Sequence, residues 1–194
     1  MNKYIGFIYT ETNGLHEKNE YKIPDVKTTG KNIFKFARLL TLNYSIGTYS
    51  NNTYNELIKE RLLIKPHFLP FDEDAFKYHQ LSKEKLEKKG EDNFKIMEKF
   101  VNDFKNVDII ISHNLDFHIK AIQVELYKSA TIFDFSKYML VDIINFHHDL
   151  NYPTLNKLAE IYLNKDISKK KNKHKIDIIK NIFLKLYQEY SKNL

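Results

Sequence analysis

A short apolar run in the middle of the chain limits its possible folds most strongly. Residues 107–112 read Val-Asp-Ile-Ile-Ile-Ser and lie between two longer segments whose apolar residues recur at helical spacing. A run of this length and composition is typical of a central strand that is buried within a sheet. The run therefore predicts a strand at the centre of the fold, flanked by helices.

Periodicity and turn signals predict the other elements. Strands are predicted at residues 3–10, 36–49 and 54–65, with Asn51-Asn52 as the turn of a hairpin between the last two. Helices are predicted at 92–106, 115–128, 155–163 and 176–190, with a short helix capped by Ser82 and a further strand at 139–144. Three strands followed by helices that alternate with single strands imply an α/β fold with a mixed central sheet.

Size and composition define the class of protein. The 194 residues are 42% hydrophobic and contain no repeat or linker-like segment, so we expect one domain over residues 1–194. The absence of cysteine excludes disulfides and thiolate metal sites. No stretch approaches the roughly 20 apolar residues that span a membrane, and the N-terminus does not resemble a signal peptide. We expect a cytoplasmic protein, or one of the host cytoplasm or virion if the source is viral.

The charge is moderately basic, with a net charge of +6 and a pI near 9.1. Such an excess suits a polyanionic partner, although lysine enrichment also follows from an AT-rich genome. The most basic stretch spans residues 165–175. Its candidate phosphate-binding residues are Lys169, Lys170, Lys171, Lys173 and Lys175. The alternative interpretation is a solvated loop with no ligand.

Four segments carry a resemblance to a known family. Residues 9–14 read Tyr-Thr-Glu-Thr-Asn-Gly, and residues 75–82 read Ala-Phe-Lys-Tyr-His-Gln-Leu-Ser. Residues 113–118 read His-Asn-Leu-Asp-Phe-His, and residues 174–179 read His-Lys-Ile-Asp-Ile-Ile. In this order they resemble the motifs of the DnaQ-like (DEDDh, RNase T-like) 3′–5′ exonucleases, over nearly the whole chain. The resemblance implies an RNase H-like fold, a mixed central sheet flanked by helices.

The same resemblance assigns roles to individual residues. Active members of the family use two divalent ions, roughly 4 Å apart, held by four acids, with a histidine as general base. Glu11 and His174 occupy two of those catalytic positions. Tyr9, His118 and Ile179 stand where the other three acids are expected. Because Mg²⁺ prefers carboxylate oxygens, a phenol, an imidazole and an alkyl group imply loss of the two-metal mechanism.

Two other arrangements of these residues stay open. A shift of the last helix by two residues would make Asp177 the acid, but Asn172 would then replace the histidine. Alternatively, Glu11, His118 and His174 would converge and hold a softer ion such as Zn²⁺ or Mn²⁺.

Two functional hypotheses follow. The leading one is a catalytically inactive exonuclease-like domain without a cofactor. It would act as a single-stranded nucleic-acid-binding or protein-binding subunit of a larger assembly, with no membrane partner. The alternative is an active 3′–5′ exonuclease that uses Mg²⁺ or Mn²⁺ at an altered Glu/His metal site.

Overall fold

Five strands of the computed structural model form one mixed sheet, in the order β3-β2-β1-β4-β5. The structure describes residues 3–15, 37–50, 53–66, 73–146, 150–168 and 174–191. The strands are β1 (Tyr4–Thr12), β2 (Leu39–Ser50), β3 (Thr53–Leu63), β4 (Ile109–Ser112) and β5 (Met139–Asp142). β1, β2 and β3 are antiparallel neighbours, whereas β4 runs parallel to β1 and β5 runs parallel to β4. The mixed sheet predicted from the sequence is confirmed.

Six α-helices accompany the sheet within these residues. They are α1 (Glu73–His79), α2 (Lys83–Lys89), α3 (Asn93–Phe104), α4 (Leu115–Lys128), α5 (Leu155–Leu163) and α6 (Lys175–Ser191). The bounds predicted for α4 and α5 are confirmed, and the Ser82 hydroxyl caps α2 by accepting from the Lys85 N–H. α1 was not predicted, because its seven residues lack a sustained apolar period. None of these helices is long and apolar enough to cross a membrane.

Different helices cover the two faces of the sheet. On one face, Phe104 of α3 and Ile119 of α4 share a core cluster with Ile8. On the other, Ile182 of α6 belongs to a second cluster with Phe7. Successive strand residues point to opposite faces, so β1 contributes to both clusters and is apolar on both sides. This alternation also places Tyr9 and Glu11 on the same face as Phe7.

The turn between β4 and α4 is fixed by a carboxylate from β5. Asp142 accepts hydrogen bonds from the backbone N–H groups of Asn114, at 3.0 Å, and Leu115, at 2.8 Å. A carboxylate at this point satisfies otherwise unpaired N–H donors, and its negative charge interacts favourably with the positive end of the helix dipole. Asn114 adopts a left-handed conformation (φ 59°), which asparagine tolerates better than most residues. The first turn of α4 is therefore held at a defined position beside β1.

A buried ion pair joins the other end of α4 to the start of β2. The Glu125 carboxylate is fully buried and accepts from Arg38 Nε at 2.5 Å and Arg38 Nη2 at 2.9 Å. It also lies 3.3 Å from the Leu39 backbone N–H, which donates to it. Bidentate pairs of this kind have defined geometry and satisfy both charges at once. α4 is thus fixed to the sheet at both ends.

Removing one member of this pair should destabilise the fold strongly. Glu125→Gln leaves the Arg38 guanidinium without its anion, and we expect the free energy of unfolding to fall by about 3 kcal/mol. Urea denaturation followed by circular dichroism measures this change. Glu87→Gln serves as the control, since it breaks the exposed Lys83–Glu87 pair, and it should leave the midpoint unchanged. Equal midpoints for the two variants would contradict a stabilising role for Glu125.

Candidate functional site

A cavity of about 560 Å³ opens where the parallel strands β1 and β4 end. In open α/β sheets, ligands commonly bind beyond the carboxyl ends of parallel strands. The lining residues come from the end of β1 and the residues after it, from α1, from the β4–α4 junction and from the first turns of α5 and α6. They are Tyr9, Thr10, Glu11, Thr12, Gly14, Leu15, Asp74, Ala75, Tyr78, His79, His113, Asn114, Phe117, His118, Leu155 and Lys175.

Tyr9 lies at the centre of a polar group in this cavity. Its hydroxyl donates to the Glu11 carboxylate and accepts from Lys175 Nζ at 3.2 Å. The ammonium also stands 5.4 Å from the centroid of the Tyr9 ring. Burial, followed by the charge and the hydrogen bond of Glu11, raises the pKa of Tyr9 well above its usual value. The phenol therefore stays neutral at physiological pH and provides no anionic oxygen for a metal.

His118 uses both ring nitrogens to join neighbouring segments. Nδ1 accepts from the Thr10 backbone N–H at 3.2 Å and lies 2.7 Å from the Thr10 hydroxyl. Nε2 lies 3.1 Å from the carbonyl oxygen of His113. An N–H donor on one side and a carbonyl acceptor on the other define a neutral imidazole with its proton on Nε2. Both nitrogens are occupied by these hydrogen bonds, so this side chain ties α4 to β1.

The histidine and the candidate acids of the final motif do not line the cavity. His174 is exposed just before α6 and is not among the residues that line the cavity. Ile179 is fully buried in the apolar cluster that contains Phe7. Asp177 pairs with Lys59 at 2.5 Å and with Lys180 at 3.2 Å, and it does not line the cavity either. Neither alignment of the last motif brings an acid to this site.

The described residues do not fit a pair of divalent ions. No group of three histidine, aspartate or glutamate side chains in the described ranges is arranged to hold a metal. Glu11, His118 and His174 accordingly do not form such a group. Both ring nitrogens of His118 bond to backbone, and His174 does not line the cavity. Asp74 also lines the cavity, but its side chain is 83% exposed and pairs with Lys77.

One described lysine of the basic stretch lies at the cavity. Lys175 lines the cavity, whereas the other four predicted phosphate-binding lysines lie outside the described residues: Lys169, Lys170, Lys171 and Lys173. Their role stays a prediction.

Two lining residues of α1 were not assigned to the site from the sequence. Tyr78 is 82% exposed, and its ring adds an aromatic surface to the cavity. His79 is buried, and burial lowers its pKa. Its Nδ1 accepts from the Leu81 N–H at 3.0 Å, so the proton is on Nε2, which has no hydrogen-bond partner in the described chain. In the sequence, the signal for a role of Tyr78 at this site is its position next to His79, in the motif-like segment 75–82.

Three-dimensional comparison relates this arrangement to known structures. Neither a protein-family model nor a curated relative matches the sequence. E. coli exonuclease I in complex with a dA16 oligonucleotide superposes with a TM-score of 0.71 and 14% identity, over 96% of this chain and 41% of that one. The fold matches that part of exonuclease I.

Other exonuclease I structures superpose on this chain to a similar extent. The enzyme from Methylocaldum szegediense gives a TM-score of 0.69 at 11% identity, covering 98% of this chain and 41% of that one. The zinc-bound complex of E. coli exonuclease I with single-stranded DNA gives a TM-score of 0.64 at 13% identity, covering 97% of this chain and 40% of that one. The present chain thus spans less than half the length of these exonuclease I chains. At such identities the likeness concerns the fold alone.

Ile179 supplies a direct test of the last motif. An aspartate there would enter the apolar core, so we expect Ile179→Asp to reduce the free energy of unfolding by about 3 kcal/mol or more. Ile179→Val should cost only about 1 kcal/mol, since it removes one methylene. Thermal and urea unfolding of both variants measure the difference. An aspartate tolerated as well as valine would place position 179 at a solvated surface.

Proposed function

We propose that this chain is an exonuclease-fold domain that binds single-stranded nucleic acid without hydrolysing it. One observation carries the proposal. At the motif positions where acids are expected, Tyr9 is a neutral phenol bonded to Glu11 and Lys175, His118 is bonded to backbone, and Ile179 is in the core. The cavity itself is nevertheless open and lined by aromatic side chains.

The chemistry of phosphodiester hydrolysis explains why these contacts argue against cleavage. In two-metal sites, the ions generate the attacking hydroxide and neutralise charge on the phosphate and the leaving oxygen. Mg²⁺ takes hard oxygen ligands in near-octahedral geometry. Among the described lining residues the acids are Glu11, which hydrogen-bonds to Tyr9, and the exposed Asp74. Two carboxylates, each already engaged by another side chain, are too few for the pair of ions that this mechanism requires.

Binding of a single strand is supported by the surfaces that remain. Tyr78 and Phe117 offer rings on which bases can stack, and Lys175 offers a positive charge for a phosphate. Stacking and phosphate contacts together are the usual basis of single-strand binding. Structures of E. coli exonuclease I hold oligonucleotides such as dA16 and dT13. The net charge of +6 is consistent with the same ligand class.

Membership of a larger assembly completes the proposal. β5 lies at the edge of the sheet, and its Met139 and Leu140 side chains are 55% and 40% exposed. An apolar sheet edge of this kind suits a partner chain. We place this assembly in the cytoplasm, consistent with a chain that lacks cysteine.

A labelled oligonucleotide tests binding and cleavage together. Fluorescence anisotropy with 5′-labelled dT13 should show binding at low salt, and gels should show intact strand after incubation with Mg²⁺ or Mn²⁺. Tyr78→Ala should weaken binding by about tenfold, because one stacked base contributes about 1–3 kcal/mol. Tyr127→Ala is the matched control, since Tyr127 is an exposed aromatic of α4 that does not line the cavity.

Two results would replace this proposal. Digestion that requires Mn²⁺ or Zn²⁺ and disappears in Glu11→Gln would establish the alternative, an active exonuclease with an altered metal site. Absence of binding at low salt, where phosphate contacts are strongest, would leave a protein-binding domain instead.

A further inference from the structure

Lys175 differs from the other partly buried lysines of this protein. Lys180, also on α6, pairs with Glu56 at 2.6 Å and with Asp177 at 3.2 Å. The buried Lys120 pairs with Asp116 at 2.6 Å. Lys175 forms no salt bridge within the described residues, and the partner of its ammonium is the neutral hydroxyl of Tyr9. A half-buried positive charge thus lines the cavity with no direct ion-pair partner among the described residues.

The orientation of this ammonium is set by Tyr9. The phenol accepts from Lys175 Nζ at 3.2 Å, and the same cation lies 5.4 Å from the ring centroid. The Tyr9 O–H is directed to Glu11, so its oxygen lone pairs face the lysine. An ammonium has three N–H donors, and the phenol uses one of them. The remaining donors have no partner among the described residues, and a ligand oxygen could accept from them.

A second polar group in the same cavity lacks an acceptor. The imidazole of His79 is 9% exposed, and its Nδ1 already accepts from the Leu81 N–H. The remaining N–H, on Nε2, has no partner among the described residues. A buried donor without an acceptor is costly, and such groups commonly find their partner in a ligand or an ordered water. Lys175 and His79 therefore both offer donors, which favours an anionic oxygen ligand.

We propose that Lys175 is a built-in substitute for the divalent ions of a metal-dependent nucleic-acid site. Its ammonium receives a phosphate of the bound strand, with His79 as a second donor, and binding therefore needs no Mg²⁺. The inference rests on the proposed function, because it names the group that holds the strand there. A divalent ion beside this ammonium would also be repelled by it, so the lysine and a metal exclude each other.

The affinity for labelled dT13 should be the same in EDTA and in Mg²⁺ at matched ionic strength. Lys175→Gln should weaken binding by about tenfold or more, since hydrogen bonds to charged groups are among the stronger ones. The dependence of log affinity on log salt should also become shallower by about 0.7, as expected for one phosphate contact on a single strand. Lys175→Arg keeps the charge and should retain most of the affinity.

Lys95 provides the control, because it is an exposed lysine of α3 that does not line the cavity. Lys95→Gln should leave the affinity nearly unchanged, and thermal melting of each variant verifies folding. Wild-type binding that is lost in EDTA would overturn the inference, as would Lys175→Gln binding as tightly as wild type. Either of those results leaves single-strand binding intact. Failure of the wild-type protein to bind in both buffers would instead refute the proposed function, and this inference with it.

Discussion

The pairing of β1 between β2 and β4 is the constraint on which the rest of the structure depends. Antiparallel pairing with β2 places Tyr9 opposite Asn43, and parallel pairing with β4 brings the end of β1 next to the start of α4. Because side chains alternate along a strand, Tyr9 and Glu11 must share one face. A slip of one residue would move both to the other face. The position of the cavity and the identity of its polar residues follow from this register.

Hydrogen bonds to neighbouring groups then determine what His118 and Tyr9 can do. The sequence offers His118 as a metal ligand, but in the structure its two ring nitrogens bond to Thr10 and to the His113 carbonyl. Tyr9 likewise acts as a connector between a carboxylate and an ammonium. In both cases the residue type permits several roles, and the neighbouring atoms select one. These residues are better described as members of a hydrogen-bond network than as metal ligands.

Local patterns explain why much of the fold was predictable. α4 and α5 have apolar periodicity, and α5 begins after Thr154, whose hydroxyl caps it. The order of the motif-like segments predicted the mixed sheet, which the structure confirms. α1 was missed because two helical turns carry too little periodicity to be distinguished from a loop.

Contacts between distant residues could not be predicted in the same way. Arg38 and Glu125 are separated by 87 positions, and Tyr9 and Lys175 by 166, so no local pattern joins them. Motif alignment identified Tyr9, Glu11 and His118 as neighbours in space, and all three line the cavity. It did not predict their hydrogen bonds, and it grouped His174 with them although that residue lies outside. The motifs thus predicted which residues lie close together in space, whereas the hydrogen bonds between them depend on how the folded chain packs.

The contacts at positions 118 and 179 also bear on how such a cavity can evolve. An aspartate at position 118 would be too short to keep both backbone bonds of His118, and one at 179 would enter the apolar core. Each single change would weaken the fold before a metal could be held, because a metal needs several ligands at once. Selection would therefore meet a barrier at every intermediate. The arrangement is easier to preserve than to convert by single steps.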